Sequence, residues 1–179
     1  EALKKRFLIT HFFNPPRYME LMEIAPCDDT DPAFLKDFAH FISKRLGKGI
    51  VYAKDTTNFI ANRIGIYAIF KGIEHMVEMG MTVEEVDAIA GPATARPKSA
   101  AFRTADLVGL DTLVYVGTNS YDNLPGDEER EVFKIPDFLK KMLDDGLLGN
   151  KVGRGFYKKD LVVGKKQIFY YDYTSGDYL

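Results

Sequence analysis

The chain has 179 residues, 46% apolar and 28% charged, ordinary proportions for a soluble globular protein that forms one good-sized domain or two small ones around a real core. A formal net charge of −2 excludes a basic footprint for nucleic acid or an anionic membrane surface, so neither is expected as a partner. The single cysteine, Cys27, excludes an internal disulfide framework and fits an intracellular, cytoplasmic protein, and no run approaches the ~18 apolar residues of a membrane span.

Residues 1–6 read as the end of an amphipathic helix with no secretory signal, and a chain that starts mid-element suggests a fragment. Residues 6–13 are rich in strand formers and read as a largely buried strand ending at Asn14-Pro15-Pro16. A second short strand is expected over residues 19–24, stopping at Pro26. Asp31-Pro32 starts a helix through Leu46, with Pro32 at its first position and Phe34, Leu35, Phe38, Phe41 and Ile42 at helical spacing; Gly47 and Gly49 end it. Residues 50–53 complete a β-β-α-β run that looks like the second half of an α/β sheet.

From Asp55 the texture changes. Residues 59–79 are apolar on nearly every side, which predicts a central buried helix. Thr82-Val83-Glu84-Glu85 has the pattern of a capping box, and Gly91-Pro92 closes the helix it begins. Residues 99–108, 112–121 and 137–145 read as further helices, with Asp111 and Asp137 as caps or first-turn acids. Residues 123–131 form an exposed acidic loop, and residues 167–173 are β-prone with a turn over residues 174–177. This tail is either a hairpin arm on the helical part or a linker to a further domain.

His11 is the first candidate for chemistry. It ends a strand before a Pro-Pro turn, where α/β proteins place ligands. A lone histidine is nonetheless more often structural than catalytic. Glu23, twelve residues on, could reach the imidazole if the turn folds back, and Glu20 competes with it; a solvated strand face is the bland alternative for both. Asn14 shapes the turn. Asn62 sits in the first turn of the most apolar helix, where an amide needs a hydrogen bond or a cleft. The glycine-rich basic stretch at residues 149–157 has the superficial look of a phosphate cradle, but it neither follows a strand nor opens a helix. His40 and His75 fit helix surfaces, and Met76, Met79 and Met81 fit core filling. No CxxC or HxxxH pattern occurs, so no metal is expected.

In combination these residues resemble the 3-hydroxyacyl-CoA dehydrogenase family, over nearly the whole chain to about Lys159. The resemblance rests on four motifs in order: His11-Phe12-Phe13-Asn14-Pro15 with Met22-Glu23-Ile24-Ala25-Pro26; Asn58-Phe59-Ile60-Ala61-Asn62-Arg63; Ala105-Asp106-Leu107-Val108-Gly109-Leu110-Asp111; and Gly149-Asn150-Lys151-Val152-Gly153-Arg154-Gly155-Phe156-Tyr157. It implies a mostly α chain: residues 1–54 as the truncated second half of a Rossmann-type α/β domain, residues 55–159 as an all-helical C-terminal domain for substrate and dimerisation, and residues 160–179 as a tail or linker. It further implies NAD-dependent oxidation of an L-3-hydroxyacyl-CoA in fatty-acid β-oxidation. His11 would match the base, Glu23 its carboxylate partner and Asn62 the amide that orients substrate, with Asn14 and Lys151 near the cofactor. A homodimer is expected, and an enoyl-CoA hydratase domain downstream in a longer parent is a further expectation.

The departures bear on activity. The family's Gly-x-Gly-x-x-Gly turn and its ribose-binding acid are absent from this sequence, as is an active-site serine, so the isolated chain is expected to bind free NAD poorly and to be inactive. Thr57-Asn58 replaces the family's Pro-Gly, although Asn58 can adopt a left-handed conformation. Residues 91–98 are poorer in glycine than the family's acyl-pocket wall. Two alternatives stand beside this reading: a related L-gulonate or crystallin-like hydroxyacid dehydrogenase, which shares the His-x-x-Asn-Pro-Pro order, and a helical module that only self-associates.

Overall fold

Two β-strands that alternate side chains across a thin sheet decide where His11 and Glu23 go. In the computed structural model, which describes residues 1–179, β1 (Leu8–Phe12) pairs antiparallel with β2 (Leu21–Pro26), and β2 pairs parallel with β3 (Gly49–Tyr52). The parallel pair needs a crossover, supplied by helix α1 (Pro32–Leu46). Asp31 caps α1 by accepting from the N–H groups of Ala33 (2.7 Å) and Phe34 (3.4 Å), Pro32 occupies the first turn, and left-handed Gly47 (φ 65°) ends it, as expected. Met22 and Ile24 pack with Ala39 and Ile42 of α1. The period of two then turns Glu23 to the opposite face of the sheet.

These elements form the first of two compact units, Glu1–Asn62; the second is Arg63–Leu179. Three expectations change in the first unit. The N-terminal helix is only a 3₁₀ turn over Lys4–Arg6 with no buried residue. The first strand is half-exposed rather than buried, because it pairs on one side only in the order β1-β2-β3. The second strand starts at Leu21, two residues late, since the residues before it belong to the turn.

The second unit packs helices around one core. Helix α2 (Ala61–Met79) enters it, followed by α3 (Val83–Ile89), α4 (Phe102–Val108), α5 (Leu110–Asn123) and α6 (Asp137–Asp144). Phe70, Met76, Phe102, Leu113, Phe133 and Phe156 form the centre of the core. Helix α2 is not buried all round: Ile69, Phe70, Ile73 and Met76 face inward, whereas Ile64 and Met79 are 64% and 67% exposed. The capping box is present, with Thr82 Oγ1 accepting from Glu85 N–H (3.2 Å) and Glu85 Oε2 from Thr82 N–H (2.8 Å). Helix α4 starts at Phe102 rather than Ser99, because Ala100 is left-handed (φ 49°) and cannot continue a right-handed helix. Asp111 and Asp137 lie in the first turns of α5 and α6. No helix is long and apolar enough to cross a membrane.

This unit is not all-helical. Strands β4 (Tyr157–Val162) and β5 (Lys165–Tyr170) form an antiparallel hairpin, and β4 runs through the boundary expected at 159/160. After it, Tyr171 is buried in the helical core. Its N–H donates to Phe156 O (2.8 Å), and the Tyr178 hydroxyl donates to Gly155 O (2.6 Å). The hairpin turns at residues 163–164, earlier than the β-prone segment 167–173 suggested. It was hard to see in the sequence because Lys158, Lys159 and Asp160 give β4 no apolar alternation.

Candidate active site

The strand register makes His11 and Glu23 a directly opposed pair, so their side chains leave the sheet on one face. His11 Nδ1 lies 2.8 Å from Glu23 Oε2. The other carboxylate oxygen, Oε1, accepts from the N–H groups of Ala61 (2.8 Å) and Ile60 (3.1 Å), at the start of helix α2. A helix N-terminus presents unpaired N–H groups and partial positive charge, and a carboxylate satisfies both. Burial alone would lift the Glu23 carboxyl, which is 2% exposed, but the hydrogen bonds from His11, Ala61 and Ile60 outweigh it and hold the group below its ordinary value. Glu23 is therefore a carboxylate with no proton to give. A carboxylate only accepts, so the hydrogen on this bond is assigned to His11 Nδ1, which leaves Nε2 as the nitrogen that can take a proton.

The imidazole is flanked by aromatic rings, Phe13 at 4.5 Å and Phe59 at 5.7 Å between centroids. Asn58 (φ 63°) and Phe59 (φ 50°) are both left-handed. The expected conformation of Asn58 is present, and the second left-handed residue turns the chain so that the next two N–H groups meet Glu23. Glu20, the competing acid, is exposed.

The other sequence candidates are placed as follows. Asn14 is exposed, two residues past the end of β1, and its bond to Pro15 is cis. Asn62 is half-buried, next to the Ala61 N–H that binds Glu23, so the first unit gathers His11, Glu23 and Asn62 around the start of α2. Lys151 belongs to the second unit and is paired with Asp111, Nζ to Oδ2 2.5 Å, both about half exposed.

Sequence reasoning missed three polar anchors. Lys48, 8% exposed, donates from Nζ to the carbonyls of Pro16 and Met19, both at 2.5 Å. Asp87 accepts from the N–H groups of Ala101 (3.0 Å), Phe102 (2.7 Å) and Arg103 (3.2 Å) and from the Tyr157 hydroxyl (3.0 Å). Asp106 accepts from the N–H groups of Phe156 and Tyr157, each at 2.8 Å. Burial pushes the Asp106 carboxyl up to about 6, with Asp87 adding to the rise and the two N–H groups opposing it. The available signal was an acid inside an apolar helical run, Val86-Asp87-Ala88 and Ala105-Asp106-Leu107.

Asp106 also explains the glycine-rich loop. A Cβ on Gly149 would press on the Asp106 backbone, and one on Gly155 would press on its carboxylate and lie 2.6 Å from Gly149 Cα. The loop wraps a buried acid, and Gly149 and Gly155 serve that close packing. No group of three or more His, Cys, Asp or Glu side chains is placed to hold a metal ion.

Comparison with known proteins places these features in a family. Residues 2–56 match the NAD binding domain of 3-hydroxyacyl-CoA dehydrogenase and residues 59–159 match its C-terminal domain. A Bacillus subtilis protein named "Probable 3-hydroxyacyl-CoA dehydrogenase" is 55% identical over 89% of this chain and 20% of its own length. A Deinococcus radiodurans protein of the same name is 48% identical over 89% of this chain and 45% of its own. The crystal structure of Mycobacterium tuberculosis FadB2 superposes with a TM-score of 0.75 at 32% identity, covering 86% of this chain and 52% of that one. That of (S)-3-hydroxybutyryl-CoA dehydrogenase from Ralstonia eutropha gives 0.73 at 29%, covering 84% and 51%. The chain thus spans about half the length of these relatives, or less.

Proposed function

The chain belongs to the 3-hydroxyacyl-CoA dehydrogenase family, and on that premise we propose that it carries the proton-transfer couple for oxidising an L-3-hydroxyacyl-CoA to the 3-ketoacyl-CoA. The observation that carries this reading is the 2.8 Å bond from His11 Nδ1 to a Glu23 carboxylate fixed on the start of α2. His11 Nε2 accepts the proton of the 3-hydroxyl while the hydrogen on C3 departs as hydride, and the imidazolium that forms is stabilised by Glu23. Asn62 orients the substrate oxygen. Asn14 and Lys151 are assigned to the cofactor side. A fatty-acid β-oxidation role and a homodimer complete the reading.

NAD supplies the hydride acceptor when bound. The residues present fit the reactive end of that group, because His11 lies near the end of β1 and exposed Asn14 follows that strand by two residues. They do not fit its pyrophosphate: neither strand-to-helix connection, residues 27–31 or 53–60, contains a glycine. We therefore assign turnover to a protein in which this sequence accompanies a glycine-turn nucleotide site, and weak NAD binding to the 179 residues alone.

The test is His11→Gln in that longer protein, assayed with NAD against 3-hydroxybutyryl-CoA and L-gulonate. Turnover of the acyl-CoA should fall by roughly 10²–10⁴-fold with an unchanged circular dichroism spectrum. Retained turnover in the variant would sink the assignment of the base, and preference for L-gulonate would sink the substrate class.

A further inference from the structure

A lysine that is 8% exposed and takes part in no ion pair shorter than 4.0 Å is an expensive thing to keep in a small unit. Lys48 has no carboxylate. Its ammonium is satisfied by two main-chain carbonyls, those of Pro16 and Met19, at 2.5 Å each. Those carbonyls belong to the turn joining the strand of His11 to the strand of Glu23. Every residue from Asn14 to Glu20 is exposed, so packing does little to hold this turn. Its remaining backbone bonds are local, Tyr18 N–H and Met19 N–H to Pro15 O, except for Gly49 N–H to Glu20 O at 2.9 Å. The two-residue segment Lys48-Gly49, at the entrance to β3, therefore ties down the turn at three carbonyls.

We propose that Lys48 is a positioning residue for the dehydrogenase reaction: its ammonium fixes the Asn14–Met19 turn and thereby the cofactor-side approach to His11. The proposal rests on His11 being the base. A lysine suits the task because three donors on one nitrogen can serve two carbonyls at once. A neutral side chain of the same length keeps the packing of the stem but frees both carbonyls, and because the turn is exposed, water can satisfy them. Loss of Lys48 thus loosens the turn more than it destabilises the unit. The ordinary fate of an anchor lost from a core is the reverse.

The experiment compares Lys48→Met, Lys48→Arg and His11→Gln in the longer active protein, with kcat and KM measured for both substrates and with 3-deuterated 3-hydroxybutyryl-CoA. Lys48→Met is expected to lower kcat by about tenfold, raise KM for NAD more than KM for the acyl-CoA, and enlarge the deuterium isotope effect as hydride transfer becomes limiting. Lys48→Arg, which retains two donors, should recover most of the loss. Wild-type kinetics in folded Lys48→Met, or a lowered Tm with an unchanged isotope effect, overturns the positioning role. If His11→Gln instead keeps its turnover, the underlying reading fails, and the two failures are told apart in one data set.

Discussion

His11 and Glu23 stand opposite one another across β1 and β2, and the carboxylate that holds the imidazole also caps helix α2. One side chain thus joins the orientation of the base to the start of α2. Each Glu23 oxygen has its own duty, so a change that spares one duty still damages the other.

Glu23→Gln tests this directly. The amide offers one acceptor oxygen and one donor group, so if the oxygen keeps the N–H groups of Ile60 and Ala61, the NH2 donates to His11 Nδ1 and the ring hydrogen moves to Nε2, the wrong tautomer for a base. Stability should fall by about 1–3 kcal/mol in urea unfolding, and kcat by roughly 10²-fold or more. A variant with full stability and reduced kcat would show that the charge on Glu23 contributes nothing to the fold.

The two buried acids give pH dependences of opposite sign. Glu23 is held below its ordinary value, so its contribution to stability is present above the usual carboxylate range and is lost as pH falls through the lowered value. Asp106 is raised to about 6, so its folded form binds the proton more tightly than the unfolded chain, and its contribution is fully present below about pH 4 and lost as pH rises through about 6. The destabilisation caused by Asp106→Asn should therefore be larger at pH 4 than at pH 7, by at most about 3 kcal/mol. Thermal unfolding of both proteins across this range measures it, and a difference that grows with pH would contradict the assignment.

Two glycines in one loop should respond differently to alanine. At Gly155 a Cβ meets the Asp106 carboxylate and lies 2.6 Å from Gly149 Cα, so Gly155→Ala is expected to cost about 3 kcal/mol or more. Gly153 is left-handed (φ 78°) with open space around it, so Gly153→Ala should cost only about 1–2 kcal/mol. Equal losses in denaturant midpoints would remove the special role of the Asp106 contact.

The tail is expected to be part of the fold. Tyr171 is buried in the core of the second unit, so Tyr171→Ala should lose about 3–5 kcal/mol. Ending the chain at Lys159 removes Tyr171 together with β5, and should convert the second unit to a form without a cooperative thermal transition.

The legible parts of this protein were those written locally. Asp31-Pro32 and Gly47 bracket α1 because caps and glycines act on the nearest turn. Thr82 and Glu85 announce α3 for the same reason. The His11–Glu23 pair was visible as a spacing, but the spacing alone left Glu20 in contention. Only the tertiary structure sets Glu23 directly opposite His11 in the strand register and leaves Glu20 in the exposed turn before β2. Lys48 left almost no sequence signal, since its partners are backbone groups of distant residues and any residue type can supply those.

By itself the sequence determined the order of most elements and the caps, because these depend on neighbours a few positions away. Tertiary structure decided which acid meets the histidine, that the glycine loop wraps Asp106, and that the tail closes the core. Those outcomes depend on which buried polar groups must find partners once water is excluded, and the partners lie 12 to 51 residues apart in the chain.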